Sequence, residues 1–421
     1  MKIVYLHQYF NTPKMSGGTR SYEMARRLVA AGHEVHMVTS DRQCDPNRDG
    51  WFHSEELGIH VHWYPVLYSN DMGFFQRVKA FITFAIAARA KAIALDGDII
   101  FASSTPLTIA LPAVPAAHKR KVPMVFEVRD LWPEMPIAMG VLNNPLLRFA
   151  ACQLERWAYR NASAVVALSP GMKDGVVRTG YPAERVAVIP NGSDNEEFKY
   201  NPDAATRFRA ERDWLSDRPL LVYAGTFGKI NGVDYMIGLA KALLAAGSDI
   251  RIYLVGQGAE RNAVLELAKL EGVFEKNLFF DDAVPKSKIP DLLSAATVAS
   301  NLVIDLPEAR ANSANKFFDT LAAGKPVLLN HGGWMHDLVK QHECGLAVWR
   351  KPVAEVAMEL DDKMHDVVWL ERAGRAARQL AEEHFARDDL AQQLMSVLES
   401  VVDGCPGRAE KISPGNYTCQ S

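Results

Sequence analysis

The sequence predicts an α/β protein made of two doubly wound units, each a parallel sheet with helices on both faces. Three observations predict it. Short apolar runs alternate with helical stretches through most of the chain. The alternation breaks after Pro190 and restarts at Leu220. Gly-containing loops follow several strands, at the carboxyl ends where such sheets bind ligands.

In the first half, apolar runs place strands at 2–6, 34–39, 59–64, 99–102, 123–128, 164–167 and 186–189. Helical periodicity falls at 21–31, 75–94, 108–118, 146–161 and 172–179. After an irregular stretch and a helix at 204–214, strands follow at 220–223, 250–255, 278–280, 298–301 and 327–329, with helices between them. The segment 354–402 reads as helical, and 404–421 as a frayed tail. These boundaries predict an amino-terminal domain over 1–198, a second over 199–388, and a last segment, 389–421, whose helix returns to the first domain.

Composition narrows the function classes. A length of 421 residues suits two domains. The 48% hydrophobic and 23% charged content is ordinary for a soluble enzyme. A net charge of −3 gives no global drive toward nucleic acid. The five cysteines form no CxxC and no Cys/His cluster, so neither a metal site nor a disulfide framework is expected. Met1 leads directly into a strand, so no signal peptide is expected, and no run reaches the roughly 18 apolar residues of a membrane span.

The most informative stretch is 312–329. A polar loop of Asn312, Ser313, Ala314 and Asn315 offers helix caps at Ser313 and Asn315. Phe317, Phe318, Leu321 and Ala322 suit the packed side of a helix that Gly324 ends. Lys316 falls in the first turn, where the helix dipole disfavours a cation by about 0.3–1 kcal/mol. A lysine beside free backbone amides makes sense around a diphosphate; a solvated surface lysine is the other reading.

Other loops carry candidate chemistry. Gly17 and Gly18 allow close backbone approach to a ligand, without the GxGxxG of a dinucleotide site. Glu127, Arg129, Asp130, Trp132 and Glu134 gather after a strand. Carboxylates there can bind sugar hydroxyls or act as a base, and an indole can stack on a sugar; an ion-paired turn explains them equally. Gly225 and Thr226 open a second Gly-rich loop in which Lys229 is placed to reach a phosphate, and Gly256 and Gly258 repeat the strand-to-glycine theme. The stretch 74–94 is apolar and carries Arg77, Lys79, Arg89 and Lys91 with no acid, as an anionic membrane surface or a packed crossover helix would require.

Taken together, these residues resemble the retaining family-4 glycosyltransferases of GT-B fold, two Rossmann-like domains facing across a cleft. The likeness also runs through Ser169-Pro170-Gly171-Met172, Ile189-Pro190-Asn191-Gly192-Ser193-Asp194, Phe198 and Gly324-Lys325-Pro326-Val327. The Glu127 segment looks most like the WbuB-type branch, N-acetyl-L-fucosaminyl transferases of O-antigen and capsule synthesis. The resemblance implies transfer from a nucleotide diphosphate-sugar, UDP-linked, with no cofactor and no metal. The acceptor it implies is a lipid-diphosphate-linked saccharide on the cytoplasmic face of an anionic membrane. On this reading Lys316 and Lys229 take over charge neutralisation, and Asp130 and Glu127, read from the loop itself, complete the catalytic candidates. Donor binding goes to Gly17, Gly18, Gly225, Thr226, Gly256, Gly258 and residues 312–315, and acceptor binding to Arg129, Trp132 and Glu134. The family's ribose-binding glutamate corresponds to Asp319. Its other glutamate falls on Ala311, with Glu308 as the nearest substitute. Its usual Arg and Lys correspond to the uncharged Thr226 and Asn231. A UDP-sugar epimerase or hydrolase on the same fold, and a nucleotide-sugar-binding protein without catalysis, remain as alternatives.

Overall fold

The apolar runs of the first half form an eight-stranded sheet in the computed structural model, which describes residues 1–15, 17–42, 50–68, 72–413 and 415. Its strands are β1 (Lys2–Leu6), β2 (Glu34–Asp41), β3 (Phe52–Glu56), β4 (Ile59–Pro65), β5 (Ile99–Ser103), β6 (Met124–Val128), β7 (Ala164–Ala167) and β8 (Val186–Val188). They lie in the order β3-β4-β2-β1-β5-β6-β7-β8, parallel except for the β3–β4 pair. The central strands are buried along their length, as crossover helices on both faces require. Those helices are α1 (Arg20–Ala30), α2 (Phe74–Ala94), α3 (Ala110–Arg120), α4 (Glu134–Ala138), α5 (Pro145–Arg160) and α6 (Pro170–Arg178).

After α7 (Pro202–Ala210) the second sheet begins: β9 (Leu220–Ala224), β10 (Arg251–Val255), β11 (Leu278–Asp281), β12 (Val298–Asn301), β13 (Val327–Leu329) and β14 (Gly345–Ala347). The order is β11-β10-β9-β12-β13-β14, all parallel. Its helices are α8 (Tyr235–Ala245), α9 (Arg261–Leu270), α10 (Ile289–Ala295), α11 (Asn315–Ala322), α12 (Trp334–His342), α13 (Val353–His365) and α14 (Val367–His384). Alternation along β9 and β10 builds two cores. Leu221, Tyr223, Ile252 and Leu254 face α8 and α13, while Leu220, Val222, Tyr253 and Val255 face α7 and α10. No described helix is long and apolar enough to cross a membrane.

The two sheets define two units. One holds Gly18–Pro190 with the first strand, and regains the chain from Asp388 on; the other runs Asn191–Arg387. Helix α15 (Arg387–Val402) therefore packs with the first unit from Asp388 on, where Arg27 Nε donates to Asp388 Oδ1 at 2.5 Å. The change of unit falls at Pro190, ahead of the 198/199 boundary read from the sequence. Asn191 and Ser193 explain the difference, because they bond to Ser313 and Asp319 of the second unit.

Two strands escape sequence reading. β3 is a polar, antiparallel edge strand, and β14 is three residues long and begins with glycine. β3 nonetheless completes a cluster of histidines. His36 of β2 pairs in register with His60 of β4, and its Nδ1 lies 3.0 Å from His62 Nε2. His53 of β3 packs on both β4 histidines. Burial lowers the pKa of His36, although the Glu34 carboxylate at 2.7 Å opposes this. Burial takes His62 to about 3, helped by Lys91 and the neighbouring histidines. Both imidazoles are held neutral in the fold, so below about pH 6.5 the unfolded chain binds the extra protons. The contribution of these two groups to stability is full above pH 6.5 and declines as the pH falls toward 3. Replacing His36 by Asn and His62 by Gln should flatten the loss of urea midpoint between about pH 7 and pH 4.5. An unchanged slope would assign acid sensitivity to other groups.

Candidate functional site

In each sheet the strand order reverses at one point, the place where doubly wound sheets bind ligands beyond the carboxyl ends of their strands. In the second unit that point lies between β9 and β12. β9 ends at Ala224, and Gly225 follows. A Cβ at Gly225 would stand 3.2 Å from Lys316 Cε, Lys316 Nζ and Tyr223 Oη, so the lysine lies directly over this loop. Lys316 Nζ donates to Asn231 Oδ1 at 3.1 Å and to Tyr223 Oη at 3.3 Å, 4.6 Å from the tyrosine ring centroid. Tyr223 Oη in turn donates to Thr226 O at 2.7 Å. No carboxylate pairs with Lys316 among the described residues, and burial lowers its pKa to about 8. This is not a solvated surface lysine. It is a cation held by neutral dipoles beside a helix start, an arrangement suited to an anion.

The start of α11 differs from the expected capped one. Neither Ser313 nor Asn315 caps the helix: the N-cap position is Ala314, and no side chain bonds to the first-turn amides. Ser313 is instead committed to Asn191, whose N–H donates to Ser313 Oγ at 3.2 Å. The Asn312 carbonyl accepts from Trp334 Nε1 at 2.8 Å. These contacts turn the 312–315 loop toward protein and leave the helix end open. Nearby, His331 is buried and neutral, with its pKa lowered to about 4 by burial; Nδ1 faces Gly332 O at 2.9 Å and Nε2 faces the Asn301 amide. Glu308 is half-buried and has no bonding partner among the described residues.

Other sequence candidates acquire structural roles. Asp319 is 4% exposed; Ser193 Oγ donates to one carboxylate oxygen at 3.0 Å, and Lys286 forms an ion pair with the other. It serves as a counter-ion rather than a free acceptor for ribose. Gly256 and Gly258 are required by packing: a Cβ would stand 1.8 Å from Gly225 O at the first and 2.4 Å from Phe227 O at the second. The two loops are joined by Gly225 N–Val255 O and Phe227 N–Gln257 O bonds of 2.9 Å each. Lys229 lies exposed on the turn before Asn231 and Thr226 is exposed on its loop. Among the described residues no group of three or more His, Cys, Asp or Glu side chains is arranged to hold a metal ion.

In the first unit the reversal lies between β1 and β5. His7, just past β1, is 3% exposed. Arg129 Nη1 donates to its Nε2 at 3.0 Å, which assigns the remaining proton to Nδ1, 2.7 Å from Ser21 Oγ. Burial, with Arg129 and Arg42 nearby, holds the His7 pKa well below its usual range. Asp130 is exposed and 3.5 Å from Thr105 Oγ1, Trp132 is half-buried, and Glu134 pairs with Arg178 at 3.2 Å. Gly17 adopts φ 118° on an exposed loop, and Gly18 is exposed with its carbonyl accepting from Asn11 Nδ2 at 3.3 Å.

Glu127 has no free carboxylate oxygen to offer as a general base in this structure. It is fully buried, accepting from Arg20 Nε at 2.9 Å and from Ser103 Oγ at 2.5 Å. Arg20 also donates to Pro190 O at 2.6 Å and Ile189 O at 2.9 Å. Sequence reasoning missed Arg20, His7, Tyr223 and Lys286. One signal was available: Arg20, like Lys316, is a cation in the first turn of a helix. Glu127→Ala should cost about 3–5 kcal/mol in urea unfolding, because it strands a buried guanidinium. Unchanged stability with lost activity would restore the catalytic reading.

Comparison with known proteins bears on the two units and their fold. Residues 17–192 match the family described as "Glycosyl transferase 4-like domain", and residues 218–366 match "Glycosyl transferases group 1". The putative colanic acid biosynthesis glycosyl transferase WcaI of Escherichia coli is 23% identical over 94% of this chain and 99% of its own. Alpha-maltose-1-phosphate synthase of Mycolicibacterium smegmatis is 27% identical over 59% of this chain and 66% of its own. The fold matches that of sucrose-phosphate synthase from Thermosynechococcus elongatus, with a TM-score of 0.78, 18% identity and coverage of 96% and 99% of the two chains. It also matches Anabaena HepE in complex with UDP-glucose, with a TM-score of 0.71, 18% identity and coverage of 95% and 100%.

Proposed function

We infer that this chain, a GT-B glycosyltransferase built from a glycosyl transferase 4-like domain and a group 1 domain, moves a sugar from a UDP-linked donor to a lipid-diphosphate-linked saccharide. The observation that carries the reading is Lys316, a half-buried lysine with no carboxylate partner, at an uncapped helix start beside the Gly225 loop. Bond breaking at the sugar leaves negative charge on the departing diphosphate. The α11 amides and Lys316 would stabilise it, with Lys229 adding charge from the neighbouring turn, so the chemistry asks for no metal. Retention follows if the acceptor hydroxyl attacks from the face that the diphosphate leaves. Its oxygen bonds to the anomeric carbon and its proton passes to the departing phosphate oxygen. No enzyme nucleophile is then needed, which fits Glu127 being locked to Arg20. Asp130, Arg129 and Trp132 remain as acceptor contacts, and Glu308 as the free acid for the donor.

Donor and pathway rest on relatives. HepE was solved with UDP and with UDP-glucose, WcaI is named for colanic acid biosynthesis and WaaG for lipopolysaccharide biosynthesis. An O-antigen or capsule sugar such as an N-acetylated fucosamine is the finer form of the reading. Peripheral attachment to the inner face of the cytoplasmic membrane is supported by α2, which exposes Phe75, Ile82 and Ile86 beside Lys79 and Arg89.

A thermal-shift panel of UDP, GDP and their sugars, followed by turnover of the best binder, tests the function. UDP release that depends on added acceptor supports transfer, release without acceptor supports hydrolysis, and binding without turnover supports a non-catalytic protein. Lys316→Met should weaken UDP binding by about tenfold or more. In the unaltered protein, affinity should fall as the pH rises through about 8, where Lys316 loses its proton. A flat profile with unchanged K316M affinity would remove Lys316 from the site. Exchanging Arg77, Lys79, Arg89 and Lys91 for Glu should release the protein from phosphatidylserine vesicles; persistent binding would place the membrane face elsewhere.

A further inference from the structure

The second unit has another cleft, of about 500 Å³, along its edge strand β11. It lies on the far side of β10 from β9, away from the Lys316 crevice. Five aromatic side chains line it: Trp214, Tyr253, Phe274, Phe279 and Phe280. Trp214 stacks on Phe279 with centroids 4.0 Å apart and planes 13° from parallel, making a flat, partly exposed platform. Trp214 and Phe279 pack against the core that includes Tyr253, yet both rings stay half-exposed at the cleft beside charged groups.

The polar lining limits what fits. Glu211, Glu275 and Asp281 are exposed carboxylates. Asp281 is held in place by Tyr253 Oη, which donates to it at 2.7 Å. The one cation among the lining residues, Arg212, is already engaged: it lies 3.6 Å over the Phe208 ring, and its Nη1 donates to Phe208 O at 3.0 Å and pairs with Glu211 at 3.5 Å. With Glu211 paired to Arg212, Glu275 and Asp281 remain as net negative charge, which repels phosphates and nucleotides. A neutral polyol meets both demands: its C–H faces lie on aromatic rings and its hydroxyls donate to carboxylates.

We propose that this cleft is a secondary saccharide site that holds an uncharged glycan chain apart from the donor crevice. The choice of ligand class rests on the glycosyltransferase reading, but binding here requires no transfer. The site would retain a glycan near the enzyme between encounters, raising its effective concentration.

The test is calorimetric titration of the full chain with maltohexaose, cellohexaose and chitotetraose, with tetramethylammonium as a cation control. UDP thermal shift is measured on the same samples. At least one oligosaccharide should bind, and Trp214→Ala should weaken it by about tenfold. Trp214→Phe should keep most of the affinity, and Asp281→Asn should reduce it without removing the aromatic surface. The UDP response should stay constant throughout. The proposal is overturned if no oligosaccharide binds, if tetramethylammonium binds instead, or if folded W214A and D281N bind as the unaltered protein does. Loss of the UDP response with glycan binding intact would remove the donor reading and leave this one standing.

Discussion

A guanidinium taken out of water must be paired, and the first unit is organised around meeting that demand for Arg20. The side chain is 2% exposed and engages Glu127 and the carbonyls of Ile189 and Pro190. One residue therefore ties the start of α1 to the end of β6 and to the chain leaving β8. Breaking one partner leaves a buried charge, which costs far more than an ordinary hydrogen bond. The demand also fixes Ser103 through its bond to Glu127, so the carboxyl edge of β5 is held by the same contact.

Lys316 presents the same problem with a different solution. It too stands in the first turn of a helix, where the dipole opposes it. Its partners are an amide oxygen, a phenol and a ring face. These orient the ammonium without neutralising it. The contrast is one of partners: Arg20 is paired with a carboxylate of its own chain, and Lys316 is held by neutral groups alone.

Much of the fold was legible because parallel strands are buried on both faces and read as continuous apolar runs, as in Lys2–Leu6 and Val298–Asn301. β3 and β14 were not, since one is polar and the other too short to show a period. At the site, Lys316 was legible through a local conflict with its helix. Its partners were not, because Tyr223 and Asn231 lie 93 and 85 residues away and are unremarkable in their own segments. Glu127 and Asp319 misled for the same reason: sequence shows a carboxylate, while its cation is set by tertiary structure. Gly256 and Gly258 looked like ligand-approach glycines, yet the backbone they approach is that of the neighbouring loop.

That last contact bears on how this crevice can diversify. The Gly225 and Gly256 loops meet backbone to backbone, with no room for a side chain between them. Their shape is therefore inherited as a unit, indifferent to most substitutions and intolerant of a few. Thr226 and Gln257, exposed among the locked positions, carry the freedom. A lineage can rewrite these two side chains without redrawing the loops, so a change in what the crevice recognises need not pass through an unfolded ancestor.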